Sequence, residues 1–137
     1  MTARSLHRDM YANVWNWAGR YRTTERNIGV DPRTIAVCLR DLMEGAKLWT
    51  GGQNPRPVDE AAAAFHHRLV QIHPFPNGNG RHSRAMTDML LRSLRADPFT
   101  WGRVTLTSSS VTRASYISAL RAADDGVFGP LARFVRG

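Results

Sequence analysis

One stretch of twelve residues carries most of the chemistry this chain could do: His73-Pro-Phe-Pro-Asn-Gly-Asn-Gly-Arg-His-Ser-Arg84. Pro74 stops whatever helix precedes it. Gly78 and Gly80 flank Asn79, and glycine permits positive φ and close backbone approach. Successive N–H groups in such a turn form a nest for an anion. The N-terminus of the helix that follows adds unpaired N–H groups and the positive end of its dipole. Arg81 and Arg84 fall three apart on one face of that helix, where like charges repel and lie at the unfavourable end of the dipole. A phosphate offsets both penalties. His73 opens the stretch beside the nest, a position that favours a catalytic role over that of a core histidine.

Other residues that could do chemistry carry weaker patterns. His66, His67 and His73 lie one, six and seven apart. A helical metal pair needs i, i+4, so metal ligation by these histidines is not expected. Cys38 is the single cysteine and falls on the apolar stripe Ile35, Cys38, Leu39 and Leu42, which reads as a buried structural thiol. One cysteine excludes an intrachain disulfide and fits a reducing compartment. His82 and Ser83 are assigned no role.

Composition bounds the setting. A chain of 137 residues reads as a single domain with its own core, and 42% hydrophobic content fits a soluble protein. No apolar run is long enough to span a membrane, and the first residues lack the apolar stretch of a secretory signal. The expected location is cytoplasmic. Nineteen Lys and Arg against eleven Asp and Glu give a net charge of +8, and Lys47 is the only lysine. That excess suits anionic partners. A basic nucleic-acid-binding module is the alternative of another class. It would need its arginines gathered on one face, and the sequence scatters them, so nucleic acid is not the expected partner.

The elements that must position the site follow from periodicity and punctuation. Leu6, Met10, Val14 and Trp17 recur at helical spacing, with Gly19 as a C-cap, and predict a helix over 5–18. Residues 21–30 have no helical stripe and read either as a short hairpin or as a surface loop. Asp31-Pro32 opens a helix that Gly45 ends. Residues 50–57 are turn-rich and connect to a helix capped by Asp59, running to about Ile72. A long helix continues through Met86, Met89 and Leu90 to about Leu94. Residues 107–110 supply caps for a helix that Asp124-Asp-Gly126 stops, and Pro130 starts a short last helix.

The stretch from His73 to Arg84 resembles the signature of the Fic family: His-Pro-Phe, an acidic residue, Gly-Asn-Gly-Arg, and a second arginine three positions on. Trp17-Ala-Gly-Arg-Tyr-Arg-Thr23 is similar to the family's sequence before its flap, and Arg113, Tyr116, Asp124-Asp-Gly126, Pro130 and Phe134 follow the pattern of the domain's end. The Pro-Asn-Gly-Asn-Gly run is similar to that of the bacterial subgroup called mobile mystery protein B. The resemblance covers nearly the whole chain. It implies an all-α Fic-type helical domain over 1–137, packed around a central helix, with a small β-hairpin flap at about 20–30 and the signature loop and helix at 73–94.

By the same resemblance the activity is transfer of AMP from ATP to a hydroxyl of a target protein that docks on the flap. His73 would be the base. Asn77, Gly78, Asn79, Gly80, Arg81 and Arg84 would bind the nucleotide, with the nest and the Asn79 side chain on the α- and β-phosphates. Arg81 would neutralise the departing pyrophosphate, Arg84 would hold the γ-phosphate, and Phe75 would anchor the loop. The family has a carboxylate where this chain has Asn77. Mg²⁺ prefers carboxylate oxygen, so its binding is expected to be weakened. A weak AMP transferase, a protein using another phosphate-containing donor and an inactive nucleotide binder all remain open. The inhibitory pattern Ser/Thr-x-x-x-Glu-Gly/Asn of many members is not found; Arg40-x-x-x-Glu44-Gly45 comes nearest and lacks the hydroxyl. Inhibition would then come from a separate antitoxin-like protein, as in a bacterial toxin–antitoxin pair, or from an upstream segment.

Overall fold

The computed structural model describes residues 2–25, 28–102 and 109–137. Six helices occur among them: α1 (Ala3–Tyr11), α2 (Ile35–Gly51), α3 (Val58–Ile72), α4 (Asn79–Ser93), α5 (Ser109–Asp124) and α6 (Gly129–Arg136), with a 3₁₀ turn at Pro32–Thr34 leading into α2. No strand is present among the described residues, so the architecture is all-α as expected. Of the expected caps at 107–110, residues 107 and 108 fall outside what is described, and 109 and 110 already belong to α5.

The Fic resemblance implies that the helix after the motif, α4, is the central one; instead α3 lies at the centre and packs against α2, α4, α5 and α6, while α4 packs against α3 and α1. Alanines 61–64 let those neighbours approach closely, and Phe65, Leu69 and Ile72 are buried between α2 and α4. A second cluster joins Ala62, Ala63 and Leu91 to Leu131 and Val135 of α6. Asp59 is not the cap of α3, whose N-cap is Pro57. It sits in the first turn, and its carboxylate takes a bidentate contact from Arg136 at 2.6 and 2.9 Å, tying the start of α3 to the end of α6.

Two helix boundaries differ from expectation for identifiable reasons. α2 passes through Gly45 and continues to Gly51. A Cβ at Gly45 would stand 3.3 Å from the Trp49 ring, so the glycine makes room for an indole one turn on. α1 stops at Tyr11 because Trp15 and Trp17 stack face to face, 4.5 Å apart at 9°. Residues i and i+2 of a helix point to different faces, so that stack requires the turns observed over 12–18. The buried face of α1 is Ala3, His7 and Tyr11, and Val14 is 66% exposed.

The core contains neutral histidines. His66 shares a hydrogen bond of 2.6 Å with the Tyr116 hydroxyl. His82 Nε2 lies 2.8 Å from the Ala3 carbonyl and donates to it. Burial holds His66 down at about 3 and His82 at about 4, and lowers His7 as well. In the unfolded chain each would titrate near 6.5. The folded values are the lower ones, so the unfolded state takes up protons first as the pH falls. Stability is therefore full above about 6.5 and is lost below it, by about 1.4 kcal/mol per pH unit for each of His66 and His82. The melting temperature is expected to drop steeply between about pH 6.5 and pH 5. A flat profile over that range in differential scanning calorimetry would show that these histidines are not buried neutral.

Candidate active site

α3 ends at Ile72, and His73 takes the left-handed conformation, φ 51° and ψ 63°. That geometry turns the chain sharply and is unfavourable for a side chain other than glycine. A buried arginine holds it. The Arg22 guanidinium donates to the carbonyls of Thr24 and Ile72 at 3.1 Å each, and to those of His73 and Val30. Arg22 N–H also donates to Pro74 O at 2.9 Å and Val30 N–H to Ile72 O at 3.4 Å. A cation among the last carbonyls of α3 is favoured by the helix dipole. Residues 22 and 30 thus pin both ends of the expected flap against 72–74. The described residues of 20–30 form a loop rather than a hairpin, while Arg26 and Asn27 lie outside the description.

Beyond His73 the loop is anchored from below. Phe75 is fully buried, as its expected anchoring role requires. It stacks on His7 at 3.8 Å and 17° and meets His82 edge-on at 4.9 Å. His7 Nδ1 accepts from Gly19 N–H at 2.9 Å. That fixes the tautomer, so Nε2–H donates to the Asn77 carbonyl at 3.0 Å. One imidazole therefore joins α1, the turn at Gly19 and the loop. His7 and Arg22 are the positioning residues the sequence reading missed.

The expected run of open N–H groups at Gly78–Gly80 is shifted by one residue, because Gly78 N–H donates to Asn77 Oδ1. Gly78 is the N-cap of α4 at φ 77° and ψ 12°, with no side chain capping the helix. A Cβ there would lie 2.7 Å from the Tyr11 ring, so only glycine fits. The first helical bond runs from His82 N–H to Gly78 O at 3.0 Å, which leaves the N–H groups of Asn79, Gly80 and Arg81 ahead of it. Asn79 is buried, and its side chain, expected on the phosphates, is instead spent on holding the loop closed. Its Oδ1 accepts from Phe75 N–H at 2.9 Å and its Nδ2 donates to Phe75 O at 2.7 Å. Nδ2 also lies 3.3 Å from His73 Nε2 and donates to it, which makes Nε2 the unprotonated nitrogen, its lone pair held by Asn79 until a substrate hydroxyl takes that place. Asn77 is exposed, and its Oδ1 accepts from Gly78 N–H at 2.8 Å.

An open cleft of about 400 Å³ gathers His73, Asn77, Gly78, Asn79, Gly80, Arg81 and Arg84 against Tyr11 and Trp15. All the expected polar residues of the site meet there, and Phe75 supports it from the core. Its charged lining is Arg81 and Arg84, with no carboxylate. To a divalent cation it offers the neutral Asn77 amide oxygen, which already accepts from Gly78 N–H, while the Asn79 oxygen is engaged with the Phe75 N–H. This donor set does not fit a protein-held Mg²⁺, which takes one or two carboxylates besides the nucleotide's phosphates. His66 and His67 lie elsewhere: His66 is bonded to Tyr116 and His67 Nε2 to Asp124 Oδ1 at 2.7 Å.

Comparison with known proteins places this arrangement. The model of the Fic/DOC family matches residues 2–91. The chain is 32% identical over 124 residues to the protein adenylyltransferase fic-1 of Caenorhabditis elegans, covering 86% of this chain and 22% of that protein. It is 34% identical over 122 residues to the protein adenylyltransferase Fic of Drosophila grimshawi, covering 85% and 23%. Against the solved structure of C. elegans Fic-1 the TM-score is 0.77 at 28% identity, covering 98% of this chain and 38% of that one. A Fic domain-containing protein from Bacteroides thetaiotaomicron, 18% identical with TM-score 0.76 over 98% of this chain and 56% of that one, shares the fold. The chain thus spans about a fifth of the length of these curated relatives.

Proposed function

Because the chain belongs to the Fic/DOC family, we propose that it is a protein adenylyltransferase, moving AMP from ATP to a hydroxyl of a target protein. The observation that carries the reading is the joining of His73, Arg81 and Arg84 around the uncapped N-terminus of α4 in one cleft. His73 Nε2 takes the proton of the target hydroxyl as its oxygen bonds to the α-phosphorus. The bond from that phosphorus to the bridging oxygen breaks, and pyrophosphate leaves with the electron pair. The N–H groups of the nest hold the α- and β-phosphates, Arg81 offsets the charge on the leaving pyrophosphate and Arg84 holds the γ-phosphate. Most of the acceleration then comes from positioning and fixed positive charge. The target approaches over the loop at 20–30. Among the described residues no helix is long and apolar enough to cross a membrane.

The arginine roles are separable by calorimetry. Arg84→Ala is expected to weaken ATP binding by about 1.5–3 kcal/mol, the size of a charge-assisted contact, and to leave AMP binding nearly unchanged. Equal losses for the two nucleotides would remove Arg84 from the γ-phosphate.

Asn77 is tested by the metal. ATP titrations of the wild type with Mg²⁺ and with a chelator are expected to differ little, since the cleft holds the ion poorly. Asn77→Asp adds a charged oxygen at the loop's exposed edge and is expected to make ATP binding and transfer several-fold more Mg²⁺-dependent. An Asn-Gly pair is open to deamidation, so intact mass must first show that the wild type still carries the amide. If the unmodified wild type already matches the variant's Mg²⁺ dependence, the amide is no handicap.

A further inference from the structure

Trp15 is a wall shared by two clefts. One holds the loop and His73. The other, about 410 Å³, lies across the indole and is lined by Arg4, Arg8, Arg20 and Asn16, with no acidic residue. Arg8 and Arg20 are exposed, and among the described residues neither forms an ion pair. Arg4 donates Nε–H to Gly19 O at 3.0 Å and stands 5.3 Å from the centre of the Tyr21 ring. Gly19, at φ +82°, draws the group together: a Cβ there would lie 2.9 Å from Arg8 Cβ and 3.0 Å from Arg4 O. Arg8 also favours the C-terminal end of the α1 dipole and Arg4 is held by Gly19 O and the Tyr21 ring, but neither role supplies a counter-charge and Arg20 has no such role. Three guanidiniums around one cleft without a counter-charge raise the local positive potential and favour an anion from outside.

We propose that this cleft docks an acidic segment of the target protein, selecting hydroxyls flanked by Asp or Glu. The proposal rests on the transferase reading of the neighbouring cleft. A target must present its hydroxyl to His73 as a polypeptide, and an extended chain advances about 3.3 Å per residue. Residues a few positions from the hydroxyl would therefore pass Trp15 and enter the arginine cleft. Carboxylates match guanidinium forks in bidentate geometry. A nucleic acid fits less well, because single strands are held by open aromatic platforms, whereas Trp17 does not line the cleft and covers one face of Trp15.

Fluorescence anisotropy with labelled octaglutamate, octaserine and oligo-dT tests this on the whole chain, with ATP calorimetry in parallel. Octaglutamate is expected to bind at least about tenfold more tightly than octaserine. The double variant Arg8→Glu/Arg20→Glu should lose that preference and keep ATP affinity within about twofold, since neither arginine lines the nucleotide cleft. Arg8→Gln/Arg20→Gln serves if circular dichroism shows the charge-reversed form unfolded. The proposal is overturned if octaglutamate binding survives either folded variant. It is equally overturned if oligo-dT binds as tightly and is lost in parallel, or if ATP affinity falls together with octaglutamate. Octaglutamate behaving as expected while the wild type binds no ATP would instead sink the transferase reading and leave an acidic-peptide site.

Discussion

His73→Ala is expected to lower AMP transfer by about 10²–10⁴-fold, the range of a positioned general base, while ATP binding and melting temperature change little. The side chain sits on the rim of the cleft, and its left-handed backbone is held by Arg22 through carbonyl oxygens, which alanine retains. Asn tolerates the left-handed region better than other residues, so His73→Asn is the matched control: at least as stable, and equally inactive. Radiolabel incorporation measured beside ATP calorimetry separates the cases. Transfer at the wild-type rate in either variant removes His73 from the chemistry. Loss of ATP binding together with transfer would make it a nucleotide ligand.

The second large effect is expected at a residue that does not line the cleft. His7→Phe preserves a ring stacked on Phe75 but removes both hydrogen bonds, leaving Gly19 N–H and the Asn77 carbonyl without their partner. Each unsatisfied group costs about 1–3 kcal/mol, so His7→Phe is expected to be strongly destabilising despite its conservative shape. His7→Ala should be worse, since it also leaves a cavity beneath Phe75. If the role is to position the nest, the folded fraction of His7→Phe will bind ATP and AMP more weakly by the same factor, because both use the nest. A merely structural role would lower the melting temperature and leave the affinity of the folded protein intact.

These two residues mark what was legible in the chain. The motif from His73 to Arg84 could be read because its residue types dictate backbone: a proline that ends α3, a glycine that only a left-handed N-cap needs, arginines one turn into α4. Helices 2 to 6 could be read from apolar periodicity, although Gly45 and Asp59 misplaced the end of α2 and the start of α3. His7 could not. Its stripe position looked unremarkable beside Leu6 and Met10, and its partners are twelve and seventy residues away. Arg22 was quoted within the run before the flap, yet a buried arginine serving four carbonyls is a tertiary fact that no local pattern encodes. The end of α1 was hidden for a related reason: the Trp15–Trp17 stack overrides helical periodicity, and a stack between i and i+2 leaves no signature in hydrophobic spacing. The segment at 20–30 has the β-branched and aromatic content of a hairpin. Its described residues are instead held as a loop by contacts to 72–74.

The central claim is that the α-phosphate of ATP, with its adenosine, moves to a protein hydroxyl. Incubating the protein with a lysate and ATP labelled either at the α- or at the γ-phosphate tests it most directly. The account predicts protein-bound label from α-labelled ATP and none from γ-labelled ATP, dependent on His73. Incorporation from γ-labelled ATP that also requires His73 would mean that the cleft transfers the terminal phosphoryl group, and would contradict it.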